Sequence, residues 1–186
     1  MEIIKTKIPD LLIIKKRVFQ DARGYFVETY NEKIFAENGI TTKFVQDNRS
    51  KSLYGVIRGL HYQLQPASQS KLVSAIVGKV YDVAVDLRRN SPTFGQWVGV
   101  ELSDENHLQF LIPQGFAHGF SVLSETAIFS YKCDNFYTPE LDRGIMYNDP
   151  ALNIDWGIPA EKQLISEKDL KQPLLRDAEM NFHSTY

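Results

Sequence analysis

The sequence has a single cysteine, Cys133, among 186 residues. One thiol excludes an internal disulfide framework and any multi-thiolate metal site. It fits a reducing compartment, so a cytoplasmic location is expected. Long apolar runs are also missing. The longest, Ile8–Ile14 and Leu72–Val77, are interrupted by Pro9 and Asp10 or by Ser74, whereas a membrane helix needs about 20 apolar residues. The N-terminus, MEIIKTKIPD, has no basic segment followed by an apolar core, and no signal peptide is expected. Charge of one sign is not in excess: 21 basic residues face 23 acidic ones, a net charge of −2. That balance argues against nucleic acid as a partner, although a few arginines in one cleft would still suit a small anion. Neither GxxxxGK[ST] nor GxGxxG occurs, so no glycine loop for nucleotide phosphates is present.

What is there reads as one folded domain over residues 1–186, with no repeat, linker or low-complexity tract. The chain is 43% hydrophobic and 12% aromatic, enough to fill a core and still line a pocket. Glycines fall between short segments rich in Val, Ile, Phe and Tyr, the punctuation of an all-β chain. In KVYDVAVDL, Lys79–Leu87, alternation puts Tyr81, Val83, Val85 and Leu87 on an apolar face. Val80, Asp82, Ala84 and Asp86 form a mixed face that would line a barrel interior or meet water. Gln96–Leu102 and His107–Ile112 read as further strands joined by a turn at Ser103–Asn106. A short helix is predicted over Asn31–Asn38, capped by Asn31 and ended by Gly39. A second is predicted over Glu161–Leu170. Residues 176–186 read as a surface tail. Many short strands with few helices suggest a sandwich or barrel.

Polar residues concentrate in FQDARGYFVE (19–28), QDNRSKSLYGVIRGLHYQ (46–63) and PQGFAHGF (113–120), with Lys71 opening the strand KLVSAIVG. His61 is either a half-buried histidine bonded to a carbonyl or a general base, since imidazole titrates near pH ~6.5. Arg58 lies three residues earlier, on the opposite face of a regular strand unless Gly59 kinks the chain. Arg23 and Arg58 are turn or ion-pairing residues, Arg58 with a carboxylate such as Asp47, or forked donors to phosphate. Tyr131 and Tyr137 are core or rim aromatics, or a proton donor in a tuned site. Lys71 is a solvated strand-end lysine or a partner for an enolate oxygen. Asp169 is a surface carboxylate or the residue that orients His61. His107 and His183 read as surface residues. The PxGxxH of Pro113–His118 resembles half of the metal-binding cupin signature. The other half, two histidines spaced H-x-H, is replaced by His61-Tyr62-Gln63, so no metal is expected.

Taken together, the segments FQDARGYFVETY, QDNRSKSLYGVIRGLHYQ, KLVSAIVGKVYDVAVDLRRNSPTFGQW, IPQGFAHGF and YKCDNFYTPELDRGIMYNDPALNIDW resemble the dTDP-4-dehydrorhamnose 3,5-epimerase family from about Ile8 to Leu175. The resemblance implies a cupin-type jelly roll (double-stranded β-helix) with a few short helices, a homodimer, and no metal or organic cofactor. It implies a nucleotide-sugar substrate, dTDP-4-dehydro-6-deoxy-D-glucose, epimerised at C3 and C5 to dTDP-4-dehydro-L-rhamnose. The family's base falls on His61, its paired carboxylate on Asp169, its acid on Tyr131 and its enolate-stabilising lysine on Lys71. Substrate-binding positions fall on Arg23, Phe26, Glu28, Gln46, Asn48, Arg58, His118, Tyr137 and Asp142, some supplied to the neighbouring subunit. A single-site epimerase, a non-catalytic ligand-binding cupin and a metal-dependent cupin stand as alternatives. The apolar Ile8–Val18 segment suggests an edge strand that dimerisation would cover.

Overall fold

The computed structural model describes residues 1–183. In chain order the strands are β1 (Glu2–Lys5), β2 (Leu12–Lys15), β3 (Val18–Asp21), β4 (Gly24–Val27), β5 (Gln46–Leu53), β6 (Val56–Gln63), β7 (Lys71–Val77), β8 (Lys79–Asp86), β9 (Trp97–Ser103), β10 (Leu108–Ile112), β11 (Phe116–Val122), β12 (Thr126–Cys133), β13 (Asp142–Gly144) and β14 (Leu164–Ile165). One helix, α1 (Glu32–Glu37), lies between β4 and β5. The first sheet runs β1-β2-β10-β7-β12-β5 and the second β13-β6-β11-β8-β9, with β14 added beside β6. Only β14 pairs parallel within these two sheets. Neighbours in sequence, such as β7 and β8, lie in opposite sheets, so the chain winds between two facing layers in the manner of a jelly roll.

Alternation explains the layers. Val73, Phe110, Ile112 and Phe129 of the first sheet meet Val80, Ala84, Val100 and Phe120 of the second in a fully buried interior. The mixed face of β8 therefore lines the barrel interior. Its apolar face, Val83 and Val85, belongs to a second core with Ile57, Leu60 and Ala117. The chain after β13 covers that core with Ile145, Leu152, Trp156, Ala178, Met180 and Phe182. Residues 176–183 are thus not a surface tail. Ala178, Met180 and Phe182 are buried, Tyr62 Oη donates to Glu179 O at 2.6 Å, and Arg89 N donates to Phe182 O at 2.9 Å. Burial pushes the Tyr62 phenol up to about 12. The rest of the expected tail, residues 184–186, lies outside the described residues.

The outer face of the first sheet is covered by α1. Phe35 and Ile40 pack on Ile14, Leu72 and Leu111. Asn31 Oδ1 accepts from Ile34 N at 3.3 Å, and Gly39 ends the helix at a φ of +82°, as the sequence predicts.

Two expectations fail for identifiable reasons. Ile8–Val18 does not supply an unpaired edge: β2 lies between β1 and β10, and Ile8, Leu11 and Ile14 are completely buried within the subunit. Glu161–Leu170 is not a helix. It forms a 3-10 turn at Ala160–Lys162, then β14, then a second 3-10 turn at Asp169–Lys171. Leu164 N donates to Gly55 O and the strand extends the edge of β6. Sheet pairing satisfies the backbone there, and the segment lacks the apolar i, i+3, i+4 stripe that would bury a helix.

Candidate active site

A β-bulge in β6 builds the site. His118 on β11 pairs with His61, but Phe120, two residues on, pairs with Arg58, three residues back. The extra residue puts Arg58 and His61 on one face, toward the interior, where regular alternation would separate them. Gly59 makes this possible. Its φ is +129°, and a Cβ there would stand 2.5 Å from Gly119 Cα and 2.9 Å from His118 O. Backbone crosses backbone, so no flexible side chain can yield. Gly59→Ala is expected to cost about 2–4 kcal/mol of stability, the sum of backbone strain and overpacking. A urea midpoint unchanged by the substitution would contradict this.

His61 meets Asp169 across 108 residues of sequence: Nε2 lies 2.6 Å from Asp169 Oδ1. Asp169 is anchored in turn. Its Oδ2 accepts from Gly59 N at 3.4 Å, and its own N–H donates to Ser166 Oγ at 3.1 Å. Burial alone would raise the Asp169 carboxyl, but the His61 hydrogen bond and charge, with Gly59 and Ser166, hold it below the ordinary carboxylate range. An ionised carboxylate only accepts, so Nε2 carries a proton, and in the neutral ring the lone pair is then on Nδ1. The His61 side chain remains 33% exposed while that of Asp169 is 4% exposed, so the ring has one wet side. It opens on a cleft of about 580 Å³ lined by Arg58, His61, Ile165, Ser166, Lys168 and Asp169.

The facing sheet carries the other inward-pointing candidates. Tyr131 pairs with Asn48 and with Val73, an interior residue, so it faces inward. Lys71 pairs with the interior residue Ile112 and with Cys133, and its Nζ lies 5.8 Å from the Tyr131 ring centroid. Burial pulls the Lys71 ammonium down and pushes the Tyr131 phenol up. Gln46 and Asn48 share this inner face. Gln46 accepts from Tyr137 N at 3.1 Å, and Asn48 Nδ2 reaches Cys133 Sγ at 3.7 Å. Arg58 Nε ties the two sheets by donating to Ser52 Oγ at 3.1 Å. It does not pair with Asp47, which binds Lys132. His118 is buried, with Nε2 2.8 Å from Asp82 Oδ2. At the rim Asp142 holds Lys168 at 2.5 Å, and Tyr137 is exposed.

Three sequence candidates lie elsewhere. Arg23 and Phe26 sit on the β3–β4 hairpin, a separate two-stranded sheet, and Glu28 follows it. The Arg23 side chain is 90% exposed and among the described residues is bound only to Asp21 of its own hairpin, and Phe26 is 68% exposed. Within one subunit none of the three joins His61. The two histidines considered as metal ligands are register partners, yet each imidazole is engaged by its own carboxylate. Among the described residues no group of three His, Cys, Asp or Glu is gathered as a metal would require.

The profile of the dTDP-4-dehydrorhamnose 3,5-epimerase family matches residues 5–177. The chain belongs to that family. It is 54% identical over 180 residues to the dTDP-4-dehydrorhamnose 3,5-epimerase of Shigella flexneri, covering 96% of this chain and 98% of the relative. The crystal structure of the Elizabethkingia anophelis NUHP1 enzyme superposes with a TM-score of 0.91 at 57% identity, over 95% of this chain and 97% of that one. The dTDP-6-deoxy-D-glucose-3,5-epimerase of Legionella pneumophila Philadelphia 1, solved with dTDP-4-keto-L-rhamnose, also gives 0.91, at 54% identity over 95% and 93%. The expected jelly roll and isomerase family are thereby shown. Sequence reasoning did not single out Asp82, Ser52 and Ser166, which hydrogen-bond to the candidates His118, Arg58 and Asp169. A carboxylate on the mixed face of KVYDVAVDL was a signal for Asp82, one that it shares with Asp86. No signal marked the two serines.

Proposed function

We propose that the chain epimerises dTDP-4-dehydro-6-deoxy-D-glucose at C3 and C5, giving dTDP-4-dehydro-L-rhamnose. The observation that carries this reading is the His61–Asp169 pair, with Tyr131 and Lys71 on the facing sheet. Hydrogens on C3 and C5 are α to the C4 ketone and therefore removable. His61 Nδ1 takes one, Asp169 stabilises the imidazolium, and the electron pair moves to the C4 oxygen. The Lys71 ammonium offsets the enolate charge. Tyr131, kept protonated by its burial, returns a proton to the opposite face. Solvent then reprotonates the phenolate and deprotonates His61, and the second centre repeats the cycle.

Arg58, His118, Gln46 and Asn48 bind the nucleotide sugar inside the cleft, with Tyr137 and Asp142 at its rim. Arg23, Phe26 and Glu28 act in the cleft of a second copy, which makes the enzyme a homodimer. The exposed aromatic side chains of the hairpin, Phe19, Tyr25 and Phe26, support this. The lone buried Cys133 supports a cytoplasmic setting. Among the described residues no helix is long and apolar enough to cross a membrane. Incubation with the 4-keto sugar in D2O, followed by NMR, tests the reading. Deuterium is expected at both C3 and C5. Label at one carbon identifies a single-site epimerase, and no label overturns the proposal.

A further inference from the structure

Among the described residues no backbone ladder ties the β3–β4 hairpin to either main sheet, so side chains set its angle to the rest of the subunit. The arm itself is stiff at its tip. Asp21 Oδ1 accepts from Arg23 N at 2.8 Å, and the same carboxylate pairs with the Arg23 guanidinium. Register puts Phe19 and Phe26 on one face, with ring centroids 6.5 Å apart, and Gln20 and Tyr25 on the other. Tyr25 and Val27 face the body of their own subunit across a cleft of about 160 Å³, lined there by Ile76, His107 and Leu108. The Tyr25 ring meets the His107 imidazole, with centroids 4.6 Å apart and planes at 56°.

We propose that His107 is a positioning residue for substrate binding: its imidazole is the fixed stop against which Tyr25 seats the hairpin, and it thereby sets where Arg23 and Phe26 reach the cleft of the second copy. The inference rests on the reading that the hairpin serves that cleft.

The stop is built on a strained backbone. His107 has a φ of +51°, in the left-handed region that few non-glycine residues occupy. The turn that imposes this is tied on several sides. Asn106 Oδ1 accepts from Ser103 N at 3.1 Å and from Leu108 N at 3.0 Å, Asn106 N donates to Ser103 Oγ at 3.0 Å, and His107 N donates to Ser103 O at 3.1 Å. Gly or Asn would hold the same φ at less cost. Neither offers a ring, whereas the imidazole is half-buried and packed on Tyr25. A strained residue whose side chain makes the contact that seats a mobile arm points to a use for that side chain. The proton-transfer groups His61, Lys71, Tyr131 and Asp169 lie on other elements. Loss of the stop should therefore weaken binding and leave turnover of bound substrate alone. An aromatic pair shifts an equilibrium by about 2–12-fold. Apparent affinity falls by at most the same factor when fewer hairpins stand at the binding angle.

His107→Asn puts in a residue that tolerates the turn and removes the ring. It is expected to raise the Kd for dTDP and the KM for the 4-keto sugar by about 3–10-fold, with kcat within about twofold. Tyr25→Leu removes the same contact from the hairpin side. The double variant, Tyr25→Leu with His107→Asn, should bind no more weakly than the weaker of the two single ones, because both act through one contact. Wild-type dTDP affinity in folded His107→Asn overturns the proposal. So do additive losses in the double variant, or a loss that falls on kcat instead of KM. Should His107→Asn fail to fold, wild-type affinity in Tyr25→Leu overturns it equally. Arg23→Ala is titrated alongside. If it leaves dTDP binding unchanged, the hairpin reading has failed and the inference falls with it. If it weakens binding while His107→Asn does not, the hairpin reading stands and the stop alone is wrong.

Discussion

His61→Asn is expected to slow deuterium uptake at C3 and C5 by about 10³–10⁴-fold, the upper range for a lost general base. Binding of dTDP should stay within about threefold, because the ring's role is proton transfer rather than attachment. Asn is the right replacement for a physical reason. Asp169 is buried and ionised against His61. Alanine would leave that charge unpaired and cost about 3–5 kcal/mol, mixing stability with chemistry. The amide of Asn can still donate to the carboxylate. Isothermal titration with dTDP and exchange kinetics on the same preparation separate the two effects. Equal loss of binding and exchange would show that His61 holds the ligand and that the base lies elsewhere.

Tyr131→Phe is expected to split exchange from inversion. Proton removal from the His61 side continues, so deuterium still enters, but it returns from the same side and the configuration is restored. Formation of the inverted product should fall by about 10²–10³-fold. Only a hydroxyl is removed. The ring keeps its place beside Phe129, 6.1 Å away between centroids, and beneath Lys71. Chiral analysis of product against total label reads the two rates in one tube. If both fall together, the hydroxyl belongs to proton removal, and the assignment of opposite faces to the two residues is lost.

Much of the architecture was legible because it rests on local pattern. The alternation of KVYDVAVDL, the turn at Ser103–Asn106 and the Asn31 cap all survive in the structure. The candidate site was legible only in pieces. Gln46 and Asn48 share the inner face of β5 through simple alternation. Nothing local joins His61 to Asp169, which lies 108 residues away in a segment whose composition also suits a helix. The burial of Ala178, Met180 and Phe182 was equally hidden. Their alternation in RDAEMNF is visible, but the apolar outer face of the second sheet that receives them exists only once the sheet has formed. The edge-strand argument for Ile8–Val18 failed because it considered β2 without β1 and β10 on either side.

The extra residue in β6 sets order against use. A ladder without it would hydrogen-bond more evenly and would be the natural target of any effort to idealise the barrel. In that tidier version Arg58 and His61 would stand back to back, one in the cavity and the other under the C-terminal segment beside Leu60. Backbone regularity and a working cleft are therefore incompatible at this one position. A redesign aimed at thermostability has the rest of both sheets to improve, but it must treat the irregular crossing of Gly59 over Gly119 as part of the chemistry.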